Sequence, residues 1–164
     1  TVKNLENEIK NSALSNKIKS ADIDFDKVQT KIMVVMWDDK LGPDIKKILP
    51  DKELAGIPIY ELANQLFESS VGIYGQNEFY GPEGLLLRIQ NIKMDGYLYF
   101  DAFLDSKMRG GEQLFMIGVI SPSIKYLNSL KLKSITREIA EKIKENQPYN
   151  LEAYLKKVIR VLET

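Results

Sequence analysis

The sequence contains no histidine and no cysteine among its 164 residues. Without histidine it lacks the side chain most used as a general base near neutral pH. It also lacks the commonest transition-metal ligand. Without cysteine there can be no disulfide, no thiolate nucleophile and no thiolate metal site, which fits a reducing compartment. A Ser-His-Asp triad and an imidazole or thiolate zinc centre are therefore excluded within the chain. Net charge is also missing: 23 basic residues balance 23 acidic ones, so the basic excess typical of nucleic-acid binders is absent. No apolar run approaches the ~20 residues needed to span a bilayer. The first residue is Thr1 rather than methionine, as expected of a trimmed chain, which leaves open an anchoring segment outside it.

What is present is the makeup of one globular domain with a sizeable core, 44% hydrophobic and 28% charged. Residues 2–19 read as a polar helix with a thin apolar stripe of Val2, Leu5, Ile9, Leu14 and Ile18. An acidic connector follows over 20–26, so residues 1–29 form an N-terminal arm and 30–164 the domain. Residues 31–37 are rich in bulky and β-branched side chains and predict a buried strand. Turn chemistry at Asp38–Gly42 leads into a second strand over 43–49, with Pro43 at its start. Pro58 opens the clearest helix, in which Ile59, Leu62, Ala63, Leu66 and Phe67 share a face and Gly72 supplies the stop. Three strands are expected over 85–92, 97–104 and 114–120, with a tight Asp-Gly turn over 93–96. The series Ile124, Leu127, Leu130, Leu132, Ile135, Ile139 and Ile143 predicts a helical half, with a bend or a division between 127 and 132. A last helix places Leu151, Tyr154, Leu155, Val158 and Leu162 together.

Short connections make neighbouring strands antiparallel hairpins. The expected class is α+β: a five-stranded, mainly antiparallel sheet with helices on its faces, plus an N-terminal helix. The order β-β-α-β-β-β-α-α over residues 30–164 resembles a longin domain, within the longin and roadblock group. W-D-D-K-L-G-P, residues 37–43, resembles the Asp-x-x-Gly-Pro hairpin of longin-like proteins, and D-S-K-M-R-G-G, residues 105–111, does so more loosely. Profilins have a similar sheet-and-helix plan and often begin with a helix.

The longin resemblance implies a sheet ordered 2-1-5-4-3, with strands 1 and 5 running parallel in the centre. It implies a non-enzymatic module of archaeal or trafficking-related type, binding a small GTPase or another longin or roadblock domain. No following coiled coil or anchor is present, which argues against a SNARE role. The expected location is cytoplasmic, with peripheral membrane association and homodimer formation left open. No cofactor, metal or catalytic residue is expected. The alternative is a profilin-like actin-binding protein, and pelleting with actin against binding to GTPases separates the two.

Candidate partner residues are Trp37, Tyr74, Phe79, Tyr80 and Arg109. Trp37 is either a core-edge residue or an interface anchor. Phe79 and Tyr80 sit in a glycine-bounded loop, where they either anchor a partner or pack back on the core. Arg109 belongs to R-G-G-E, which reads as a hairpin turn and lacks the ending of a phosphate-binding loop. Asp38 and Asp39 read as a turn, or else as a magnesium or calcium contact. Asp101 and Asp105 are expected to lie far from that first hairpin. Lys125, Lys131, Lys133 and Arg137 form a basic cluster, read as a solvated face or a contact for acidic lipid. The second strand is expected at a sheet edge, and the preferred binding surface is the first helix with the Phe79–Tyr80 loop.

Overall fold

The computed structural model describes residues 29–52, 56–74 and 82–163; for residues 69–74 only the backbone is described. The expected N-terminal helix and connector, Phe79, Tyr80 and the side chain of Tyr74 lie outside the described residues. The described elements are β1 (Lys31–Asp38), β2 (Gly42–Leu49), α1 (Ile59–Tyr74), β3 (Glu83–Ile89), β4 (Met94–Leu104), β5 (Glu112–Ser121), α2 (Tyr126–Lys144) and α3 (Leu151–Leu162). The strands form one sheet in the order β2-β1-β5-β4-β3.

Every pairing in this sheet is antiparallel, including the central β1–β5 pair, which corrects the parallel arrangement expected there. Chain reversals explain the difference. One helix separates β2 from β3 and carries the chain back along the sheet, so β3 starts at the end where β2 started. Two further hairpins then leave β5 running opposite to β1. Both the β1–β2 turn and the β4–β5 turn therefore lie at the same end of the sheet. The start of β1 and the end of β5 lie at the other, joined by a 2.9 Å hydrogen bond between the hydroxyls of Thr30 and Ser121.

The period-two alternation of the central strands sorts their side chains onto two faces. Ile32, Val34, Tyr97, Tyr99, Phe115, Ile117 and Val119 meet α2 and α3 through Leu132, Ile135, Ile139, Leu155 and Val158. Met33, Val35, Leu98, Phe100 and Met116 meet α1 through Leu62, Ala63, Leu66 and Phe67. Among the described residues the result is three layers, with α1 on one face and α2 and α3 on the other. Burial on both faces is why β1 and β5 read as almost unbroken apolar runs. Gly118 lies opposite Met33 and beside Leu98. A side chain there would bring its Cβ within 3.1 Å of Met33 Cγ.

Three boundaries differ from the sequence expectation. The first helix continues through Gly72 to Tyr74. The β3–β4 turn occupies 90–93, with Lys93 taking the left-handed conformation at φ 54°. Asp95 and Gly96 are thereby released into β4, where the Asp95 carboxylate accepts from Arg88 at 3.0 Å and from the backbone N–H of Ile124 at 2.8 Å. α2 is one uninterrupted helix, and Leu127 and Leu130 point to solvent rather than extending the core series.

Replacing Gly118 with Leu forces Met33 aside and is expected to cost about 1–3 kcal/mol. Gly110→Ala, with nothing within 4 Å of the added methyl, should be nearly neutral. Urea unfolding monitored by Trp37 fluorescence distinguishes them.

Candidate partner-binding surface

Asp38 closes the first hairpin. Its Oδ1 accepts from the backbone N–H of Lys40 at 2.8 Å and of Leu41 at 2.9 Å. These bonds, Leu41 first, hold the carboxyl below its ordinary value because they favour the charged form. Gly42 follows at φ 83°, a conformation glycine adopts without steric cost. The turn reading of this aspartate therefore describes the geometry.

Asp39 does something the sequence did not suggest. Its Oδ2 accepts from the backbone N–H of Arg109 at 2.9 Å and ties the two hairpin turns together. The expected separation of the 105–111 turn from the first hairpin is thus overturned, for the antiparallel β1–β5 pair places both at one end. Gln113 reinforces the junction by donating to the Trp37 carbonyl at 2.7 Å. Among the described residues no group of three or more carboxylates is placed to hold a metal ion.

Trp37 is half-buried and stacks on Phe67 of α1, ring centroids 5.5 Å apart. Phe67 in turn meets Phe100 edge-on at 5.7 Å. The tryptophan thus braces α1 against the sheet. Arg109 is exposed in its turn, next to Asp39. The same end carries two highly exposed leucines, Leu41 at 75% and Leu104 at 86%.

Asp101 is the buried carboxylate of the sheet, 3% exposed. It pairs with Lys144 of α2 at 2.6 Å and accepts from the N–H of Ala102 at 2.8 Å. Burial alone would lower the Lys144 pKa, but the hydrogen bond and charge of Asp101 outweigh it and raise it. Tyr99 lies nearby, its pKa raised mainly by burial despite a hydrogen bond from Arg137. This group ties α2 to β4.

Among the described residues, the open parts are the sheet edges and one helix end. β2 is an edge strand, as expected, with Lys46 and Lys47 exposed. Lys46 pairs with Asp44 at 2.8 Å, and Lys47 lies 4.0 Å over the Tyr149 ring. α1 packs beside β2 and presents Tyr60, Glu61 and Glu68 outward. At the start of α2, Tyr126, Leu127 and Leu130 are 70%, 71% and 53% exposed. The sequence did hold a signal for this: Leu127 to Leu132 is a five-residue step, which carries the helix about 140° away from its buried face.

No family model matches the chain, and no curated protein matches it. Among solved structures, one match is the K. lactis Lst4 longin domain, 11% identical, covering 82% of this chain and 92% of that chain at a TM-score of 0.48. The strand order, the single-helix crossover and the paired C-terminal helices carry the fold reading. The sheet order is the one that the longin resemblance of the sequence implies. No helix among the described residues is long and apolar enough to cross a membrane.

Two substitutions check the geometry. Asp38→Ala should lower the Tm by a few degrees at neutral pH, and Asp38→Asn by less. Because the folded-state pKa of Asp38 is lowered, its contribution is present above the ordinary carboxylate range. It is lost as pH falls through the folded value. The gap between wild type and Asp38→Ala should accordingly close in acid, and millimolar magnesium or calcium should leave the wild-type Tm unchanged. Lys144→Met strands the buried Asp101 charge and is expected to cost about 2 kcal/mol, with most recovered in Lys144→Met/Asp101→Leu. The raised pKa of Lys144 makes the pair's contribution full below the lysine's ordinary value of 10.5 and lost as pH rises through its folded value. Denaturant midpoints measured from neutral pH to pH 11 read this directly.

Proposed function

We propose that this longin-like domain is a non-enzymatic protein-binding module. Its partner on this reading is a small GTPase or another longin or roadblock domain, within a trafficking or GTPase-regulating assembly. The observation that supports the reading is the edge strand β2, eight residues long and unpaired on its outer side among the described residues, beside the exposed outer face of α1. An edge strand offers backbone donors and acceptors that a partner strand or loop can complete. The adjoining helix face adds an exposed aromatic, Tyr60, flanked by Glu61. Side chains supply selectivity there while the edge supplies hydrogen bonds. Phe79 and Tyr80 follow α1 closely in sequence, which is why they are tested with it. The lack of cysteine fits work in the cytoplasm.

The experiment is a binding series with the immobilised chain. Small GTPases are presented in GDP-bound and GTP-analogue-bound states, beside longin and roadblock domains, and sedimentation reports self-association. Tyr60→Ala and the pair Phe79→Ser/Tyr80→Ser should each weaken the detected complex at least tenfold while leaving the Tm within a few degrees. Retained affinity in both variants would move the surface away from α1. Absence of any complex across the series would remove the reading.

A further inference from the structure

The outward side of α2 combines two features near its start. Tyr126, Leu127 and Leu130 are all more than half exposed, so large apolar side chains cluster on a surface helix. Lys125, Lys131 and Lys133 are exposed around them, and no acidic residue occurs from Pro122 to Arg137. The helix period of about 100° per residue fixes how these groups are arranged. Leu132 is fully buried and marks the inward direction. Leu130 and Leu127 then lie about 160° and 140° away from it, near the outermost line of the helix. Lys131 and Lys133 stand on either side of Leu132 in sequence, so they lie about 100° round to its two sides. Tyr126 falls on the Lys133 side, about 120° round. The result is a convex apolar ridge with a lysine on each flank.

The nearby carboxylates have partners of their own. Asp95 meets the start of the helix, where it accepts from Arg88 at 3.0 Å and from the Ile124 N–H at 2.8 Å. Glu138 accepts from Tyr154 at 3.2 Å and lies 4.0 Å from Lys157. Glu141 lies about 180° from Leu132, on the same outward line, and ends the ridge. Lys125 is the N-cap and supplies no side-chain cap, and the first turn holds no acid. The positive end of the helix macrodipole therefore adds to the charge of the lysines.

This order of groups decides between occupants. A protein partner holds its apolar anchors in pockets, which calls for a concave site on one side of the contact. Here the leucines project furthest and the cations stand lower on both flanks. A bilayer with anionic headgroups has the complementary order, with hydrocarbon deepest and negative charge outside it. Leucines enter the acyl boundary, lysine stems extend back to the headgroups, and a tyrosine ring sits between the two.

We propose that the first two turns of α2 are a peripheral docking face for an anionic lipid surface, with Leu127 and Leu130 inserted and Lys125, Lys131 and Lys133 on the headgroups. Two leucines and three lysines give reversible attachment, each lysine strengthening it on the order of fivefold. The face lies across the sheet from α1, so the domain can hold a lipid surface and a protein partner at once.

The absence of cysteine lets a single label report depth in the full chain. Leu127→Cys carrying a nitrobenzoxadiazole dye should brighten and shift to shorter wavelength with phosphatidylcholine vesicles containing about one-third phosphatidylserine. Phosphatidylcholine alone should give no response. The same dye on Leu41→Cys, in the turn at the other end of the sheet, should stay unchanged. Flotation of the unlabelled chain on the same vesicles should weaken as salt rises. Lys125→Glu/Lys131→Glu/Lys133→Glu and Leu127→Ser/Leu130→Ser should each weaken it at least tenfold, with the Tm within a few degrees because these side chains are exposed. Lys125→Arg/Lys131→Arg/Lys133→Arg should keep it, since the charge is kept. No flotation of the parent chain, equal flotation on phosphatidylcholine alone, or full binding in both weakened variants would overturn the proposal. A larger response from the Leu41→Cys label would overturn it by moving the contact to the opposite end. A response of the Leu127→Cys label to a soluble peptide of alternating Asp and Leu, but not to vesicles, would overturn it in favour of an acidic protein segment.

Discussion

The antiparallel pairing of β1 with β5 is the constraint on which the rest of the molecule depends. Ile32 to Val35 on one strand and Phe115 to Ile117 on the other are fully buried, so both strands need cover on both faces. One helix cannot provide that. α1 closes one side, α2 and α3 close the other, and the three-layer arrangement follows. Gly118 at the centre of the pair gives Met33 the space that a side chain would otherwise take.

The same pairing decides which loops meet. Opposed strand directions gather both hairpin turns at one end, where Asp39 accepts from Arg109 and Gln113 donates to the Trp37 carbonyl. The other end collects the entry of the chain at Thr30 and the exit of β5 at Ser121. A parallel central pair would have split the two turns and removed the Asp39 contact. The two ends thus have different characters. One is tied by polar contacts and carries two exposed leucines. The other carries a basic, apolar helix start next to the point where the N-terminal segment leaves.

Charge is balanced over the whole chain but not over its parts. Aspartates alternate at 22, 24 and 26, whereas cations without an acidic neighbour run from Lys125 to Arg137. In the core the same balance appears as Asp101 with Lys144, a pair that fastens α2 to β4. Asp38 closes a turn, Asp39 links two turns, and Asp101 fastens a helix to the sheet.

The strand count, the helix positions and the buried faces of the central strands were determined by the sequence itself. Period-two and period-3.6 patterns are local, and so is the Asp-x-x-Gly-Pro turn. The β2 edge was legible for a similar reason, through a proline at its start and exposed lysines within it. The direction of β5 against β1 was not legible, because it depends on how many times the intervening chain reverses across the sheet. The β3–β4 turn shifted from 93–96 to 90–93 because Asp95 gains a cross-strand partner in Arg88 and the Ile124 N–H, neither of which is local to the Asp-Gly pair. Trp37 reads from the sequence as a core-edge residue or an interface anchor, and only the fold shows that it stacks on Phe67. Leu127 and Leu130 looked like core by composition, and only the packing of Leu132, Ile135 and Ile139 onto the sheet fixed the rotation that exposes them. Local periodicity sets which residues share a face; tertiary packing chooses which face is covered, since that choice depends on contacts made by residues far apart in the chain.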